Sequence, residues 1–198
     1  MLNRDYLIIG AGMAGVTACE GIREHDKKGS VLLVGRENFL PYHRPPLSKN
    51  FLKSSSMGTD DLLHEDAEWF KKNRIETRLG TAVRELNIER QLAVLHDGQV
   101  VEFRKALLAT GSHSRRPPVA GANLGNVFYL NSIRDALAIR EAAALEKKRG
   151  CCRRRIHRAR NVGGARTGES QSRDAESQSL ALGKMARRGN FAVAHDSL

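Results

Sequence analysis

A chain of 198 residues has room for one ordinary domain or a domain with a tail, and its 33 Lys+Arg against 22 Asp+Glu give a net charge of +11 and a pI near 10.1. Residues 1–150 hold 23 basic and 18 acidic side chains, whereas residues 151–198 hold 10 and 4, so more than half of the excess charge sits in the last quarter and is not read as a nucleic-acid surface of the folded part. No apolar run approaches the roughly 20 residues that span a bilayer, and the first one, Tyr6–Gly15, is broken by glycine and has neither a basic lead-in nor a cleavage site, so a soluble cytoplasmic protein is expected.

In chain order, Asp5-Tyr6-Leu7-Ile8-Ile9 has the length and residue types of a buried parallel strand. It runs directly into Gly10-Ala11-Gly12-Met13-Ala14-Gly15, and the stretch Val16–His25 is helical in character. Strand, G-x-G-x-x-G and helix in that order is the context a dinucleotide fingerprint requires. Gly10 permits the tight turn, Gly12 lets the backbone approach a pyrophosphate, and Gly15 lets helix and strand pack closely. The amides at the helix N-terminus, including those of Met13 and Ala14, then hold the phosphates. The plainer reading is a glycine-rich turn without a ligand. Val31–Val34 supplies a second strand, closed by Gly35-Arg36-Glu37. An acid at that strand end would bond the adenosine ribose, so either Glu37 reaches it or Arg36 replaces the contact.

Pro41-Tyr42-His43-Arg44-Pro45-Pro46-Leu47-Ser48-Lys49 follows. Its prolines predict an extended approach that excludes helix until Ser48, an expected N-cap. Arg44 and Lys49 either neutralise pyrophosphate charge and contact a flavin, or decorate a Pro-rich surface loop. Farther on, Glu65–Asn73 predicts a short helix and Ile75–Leu79 a strand, and 82–86, 92–96 and 100–108 predict an antiparallel meander with a hairpin at Asp97-Gly98. In Ala109-Thr110-Gly111, small residues permit close approach to a ligand, or form a simple turn after a strand. Ser132 is expected to cap a helix from Ile133 to about Lys148.

The glycine fingerprint followed by PY-x-RPPLSK resembles the ferredoxin, rubredoxin and putidaredoxin reductases, to which apoptosis-inducing factor is related. The resemblance covers residues 1 to about 149. It implies an α/β fold: a Rossmann-like FAD-binding domain of glutathione-reductase type, three-layered, with an antiparallel β-meander. It implies that FAD is the cofactor, NAD(P)H the substrate and an iron–sulfur protein of ferredoxin or rubredoxin type the electron acceptor, with no membrane or nucleic-acid partner. The cofactor contacts it implies are Gly10, Gly12, Met13, Ala14, Gly15, Glu37, Arg44, Lys49, Val83, Ala109, Thr110 and Gly111. Lys49 would contact the flavin side, and the backbone of Val83, in Gly80-Thr81-Ala82-Val83, would face the adenine. Disulfide reductases carry a Cys-x4-Cys pair in this region. Here the cysteines are Cys19, Cys151 and Cys152, so a thiol mechanism is not expected, nor is a metal. Relatives often read Tyr-Leu-Arg-Thr before the next helix, where this chain reads Tyr129-Leu130-Asn131-Ser132, so flavin affinity is expected to be weaker. No side chain reads as a catalytic acid, base or nucleophile.

The pattern breaks near Gly150. In the family, the helix leads to a second strand and a second G-x-G-x-x-G for NAD(P)H; here Cys151-Cys152-Arg153-Arg154-Arg155 follows. Reading the codons of residues 151–160 one base later allows Val-Val-Gly-Gly-Gly-Phe-Ile-Gly-Leu-Glu, the family's second fingerprint. Residues 1–149 are therefore expected to be the N-terminal part of the FAD domain. Residues 150–198, with 7 Leu, Ile, Val or Phe among 151–198, are expected to be an out-of-frame, disordered tail and the chain to be inactive alone. The rival reading is a non-catalytic nucleotide-binding fragment whose Arg-rich tail binds nucleic acid weakly. With Phe191 as the tail's sole aromatic residue, that tail has little capacity for base stacking.

Overall fold

The computed structural model describes residues 1–148, 157–160 and 192–195, with side chains as far as residue 145. The chain divides into two compact units, Met1–His43 with Thr59–Ser112 and Arg44–Gly58 with His113–Leu198.

The first unit is built on a six-stranded sheet ordered β3-β2-β1-β6-β5-β4. Its strands are β1 (Leu2–Ile9), β2 (Val31–Gly35), β3 (Ile75–Leu79), β4 (Val83–Asn87), β5 (Leu92–Leu95) and β6 (Val100–Leu108). β1 pairs in parallel with both β2 and β6, and β2 in parallel with β3, while β4, β5 and the start of β6 pair antiparallel. β6 therefore belongs to both the parallel sheet and the meander. Continuous apolar runs suit strands covered on both faces. Leu7, Ile9, Leu32 and Val34 join Ala93, Leu95, Val101 and Phe103 in one cluster. The alternate residues Ile8, Val31 and Leu33 pack with Val16 and Cys19 of α1 (Met13–His25) and with Phe70 of α3 (Ala67–Lys72). The hairpin at Asp97-Gly98 forms as expected: Gly98 has φ +84°, and its N–H donates to the Leu95 carbonyl.

In the second unit, Leu47, Phe51, Ile133, Ala136 and Ile139 are buried. They come from a 3-10 helix (Pro45–Ser48), α2 (Asn50–Lys53) and α4 (Ile133–Lys148). The Asp135 carboxylate accepts from the Asn131 and Ser132 amides, and the Asp135 amide donates to Ser132 Oγ, closing a capping box on α4. The cap on Ser48 is a correction. The 3-10 turn begins at Pro45, because proline at a first helical position sacrifices no needed N–H, and Ser48 lies inside that turn. Residues 127–130 form β7 (Val127–Leu130), in a parallel sheet ordered β7-β9-β8 with β8 (His157–Arg160) and β9 (Ala192–His195). Elsewhere, the expectation of disorder after residue 150 lies outside the described residues.

A candidate dinucleotide site

The end of β1 is strapped to both neighbours. Gly10 N–H donates to the Val34 carbonyl at 2.8 Å, and Ala109 N–H donates to the Ile9 carbonyl at 2.8 Å. This is the point where the sheet runs one way to β2 and the other way to β6, the switch position at which open α/β sheets take ligands beyond their strand ends. The packing explains the glycines. Gly10 has φ +122°, and a Cβ there would lie 2.0 Å from the Ala109 carbonyl oxygen. A Cβ on Gly15 would lie 2.0 Å from the Gly10 carbonyl oxygen. At Gly12 the opposite holds: a Cβ would meet nothing within 4 Å, so the backbone is open to a ligand.

Gly12 is the N-cap of α1 and makes no side-chain cap; the first turn has no acid, and Arg23 and His25 lie in the last. The amides of Met13, Ala14 and Gly15 thus open a 13-residue helix whose positive end faces no carboxylate of its own. These residues fit a diphosphate.

Beyond β2, Arg36 is exposed and Glu37 half-buried. The buried Tyr42 hydroxyl donates to Glu37 Oε2 at 2.7 Å. The turn before β4 is clipped to the same place, with Gly80 N–H on the Glu37 carbonyl and Thr81 N–H on the Gly35 carbonyl, both at 3.1 Å. Val83 opens β4 opposite Leu95. Gly10, Gly12, Met13, Ala14, Gly15, Glu37, Val83, Ala109, Thr110 and Gly111 all belong to the first unit, with Thr110 and Gly111 exposed after β6. Arg44 and Lys49 belong to the second. There Arg44 donates to the Asn131 carbonyl at 2.6 Å, and Lys49 is exposed between the 3-10 turn and α2.

Sequence reasoning missed Gly35. A Cβ on it would meet the Ala11 Cβ at 2.4 Å, so this glycine lets the turn lie against β2. The available signal was a glycine closing a buried strand. It also missed that Tyr42 orients Glu37. Cys19, the one cysteine among the described residues, is buried beneath α1, and burial pushes its thiol up to about 12, which leaves no thiolate for redox exchange.

A glycine turn at a sheet's switch point, opening an uncapped helix, defines a Rossmann-like dinucleotide-binding domain. The model of the pyridine nucleotide-disulphide oxidoreductases matches residues 4–168, past the break in composition at residue 150. The chain belongs to that family, whose members use FAD with NADH as substrate.

It is 37% identical over 134 residues to a rubredoxin-NAD(+) reductase of Pseudomonas putida, covering 68% of this chain and 34% of that protein. It is also 37% identical over 140 residues to rhodocoxin reductase of Rhodococcus erythropolis, covering 71% and 33%. Putidaredoxin reductase, solved in its covalent complex with putidaredoxin, superposes with a TM-score of 0.67 at 27% identity, over 98% of this chain and 42% of that one. The chain thus spans about a third of the length of the curated relatives it matches. No helix among the described residues is long and apolar enough to cross a membrane.

Proposed function

We propose that this chain is the flavin-holding part of an NAD(P)H-dependent reductase that hands electrons to an iron–sulfur protein of the ferredoxin or rubredoxin type. The carrying observation is the pair of opposite environments in one turn: Gly10 and Gly15 are packed with no room for a side chain, while Gly12 between them faces open space. Packing gives Gly10 and Gly15 a structural reason to be glycine, whereas at Gly12 a Cβ would meet no protein atom, and close approach of a diphosphate to the backbone supplies the reason there.

The amides of Met13, Ala14 and Gly15, with Gly12, would hold the FAD diphosphate. Glu37 would accept from the adenosine ribose, the Val83 backbone would face the adenine, and the small residues Ala109, Thr110 and Gly111 would admit the cofactor close to the chain. By the resemblance of their motif, Arg44 and Lys49 would also be cationic contacts, Lys49 on the flavin side. Bound FAD would supply the chemistry, as a hydride acceptor able to release electrons singly, while the residues named here would bind, orient and tune it. The relatives' names, rubredoxin and rhodocoxin reductase, support the acceptor class.

The reading frame from about residue 150 is proposed to be shifted by one base, so that the chain as it stands holds FAD weakly and does not turn over. Two measurements test this reading. Sequencing across codon 150 is expected to show a second frame open for about 200 further codons, sized to match relatives of which this chain covers a third. A frame that closes within a few codons overturns the shift. In parallel, a visible spectrum of the purified chain is expected to show little bound flavin; a yellow, NADH-reducible monomer contradicts the inactive reading. If the longer product binds no flavin, the FAD assignment fails.

A further inference from the structure

On the first unit, two short segments run side by side. His43 N–H donates to the Leu62 carbonyl and His64 N–H to the Pro41 carbonyl, both at 2.9 Å, with an antiparallel bridge between Tyr42 and Leu63. The pairing sets His43 and His64 edge to face, ring centroids 5.2 Å apart, with His43 Nε2 3.3 Å from His64 Nδ1. The other nitrogen of His64, Nε2, lies 2.9 Å from Glu20 Oε1 on α1. Glu65 adds a second carboxylate: one ligand atom each from Glu20, His64 and Glu65 lie within 4.8 Å of one another. None of these four residues is among the cofactor contacts.

We propose that Glu20, His64 and Glu65 bind a divalent transition-metal ion of the zinc class, with His43 as the outer partner of His64. One imidazole and two carboxylates are a donor set suited to zinc, and three protein ligands leave its fourth tetrahedral position to water. The ion takes the place of the hydrogen bond between His64 Nε2 and Glu20 Oε1: neutral His64 keeps its single proton on Nδ1 and offers the Nε2 lone pair to the metal. Tetrahedral zinc bonds of about 2.0–2.2 Å set ligand atoms about 3.4 Å apart, so Glu20 Oε1, at 2.9 Å from His64 Nε2, opens slightly while the wider separations in the group close, a movement available to half-exposed side chains by rotation. With Nε2 on the metal, His64 Nδ1–H donates to His43 Nε2. Ligating histidines donate their other N–H to an acceptor that fixes tautomer and ring plane, and His43 Nε2 stands in that position. The side chains of His64 and Glu20 retain 22% and 32% of their accessibility, so an ion has a path in from solvent. Once bound, it clips the flank of α1 to the His43–His64 bridge.

The test is equilibrium dialysis of the full, untagged, chelator-stripped chain against Zn2+ alone, with metal measured by atomic emission. One Zn2+ per chain is expected. His64→Ala and Glu20→Gln are expected to weaken it by about 100-fold or more, and His43→Phe by about 10-fold, the scale of outer-partner losses. A Cys151→Ser/Cys152→Ser variant, which removes the other soft ligands near His157, is expected to bind as before. Circular dichroism checks that each variant folds, and Co2+ in place of zinc gives a visible band that His64→Ala abolishes. Absence of one-to-one binding tighter than about 1 mM overturns the proposal. So does binding kept by His64→Ala, or lost in the double cysteine variant.

Discussion

Gly10 and Gly12, two residues apart in the same turn, are under different constraints, and substitution separates them. In Gly10→Ala the new methyl would sit 2.0 Å from the Ala109 carbonyl oxygen, on a backbone at φ +122°. Strain of this kind costs about 1–3 kcal/mol, and the contact with backbone adds to it, so a fall in thermal midpoint is expected with or without flavin. Gly12→Ala meets no protein atom, and its N-cap geometry, φ −97°, is open to any residue. Its stability is expected to stay within about 0.5 kcal/mol of the parent, while in the longer product of the restored frame its affinity for FAD, followed by quenching of flavin fluorescence, falls at least tenfold. Equal FAD affinity in parent and Gly12→Ala would show that the open face is not where the diphosphate lies. The fingerprint and its flanks made these positions legible in the sequence. Gly35 was not legible in that way, because its reason is a contact with Ala11, remote in sequence, which only pairing of β1 with β2 creates.

At the scale of elements, apolar runs and turn residues located the strands and helices, and errors fell at their ends. The predicted strand from Asp5 begins at Leu2, because pairing with β6 starts there and recruits polar Asn3 and Arg4 that no hydrophobicity pattern would include. The short helix expected over 65–73 is Ala67–Lys72, since the Asp66 side chain caps it by accepting from the Trp69 amide. Two polar side chains hold these elements together. Arg23 of α1, only 6% exposed, donates to the carbonyls of Asp26, Asn73 and Arg74, tying the helix end to the turn before β3. Arg74 sits there at φ +53°. Arg23→Met keeps the packing stem but strips three carbonyls of their donor, and a loss of about 2–4 kcal/mol is expected by urea denaturation. A loss below 0.5 kcal/mol, on the order of an ordinary surface change, would show that water replaces those bonds.

Asp5 performs the corresponding task between β1 and β2. Its carboxylate accepts from the Ser30 amide and hydroxyl, each at 2.8 Å, and from Arg104. The Ser30 bonds first, then Arg104, lower its pKa from 3.8 to about 2. A depressed folded-state pKa means that stability is present above the unfolded value and is lost as pH falls from about 4 through 2. Asp5→Asn is therefore expected to flatten the acid limb of a melting-temperature profile between pH 4 and 2. A profile parallel to the parent's would remove Asp5 from the acid response.

For the whole molecule, topology leaves one consequence exposed. β6 pairs with β5 only over Val100–Glu102 and with β1 as far as Leu108, so from Arg104 onward one of its edges has no partner strand among the described residues. All five residues from Arg104 to Leu108 are exposed, with Leu107 at 42% and Leu108 at 62%. Local pattern predicted a meander and a parallel sheet separately; that β6 serves both, and so runs out of neighbours halfway along, depends on register, which periodicity does not encode. Arg104 and Lys105 guard the start of this open edge, but its end, formed by Ala106, Leu107 and Leu108, is apolar and is a template for another chain. Purified protein is accordingly expected to self-associate at concentrations of about 10 μM and above in sedimentation velocity. Leu108→Lys places a charge on that edge without touching the buried cluster, and is expected to weaken association at least tenfold while leaving the melting temperature within a few degrees. A parent chain that stays monomeric at ten times that concentration would mean the edge is covered from within. An equally associated Leu108→Lys would move the sticky surface elsewhere on the molecule.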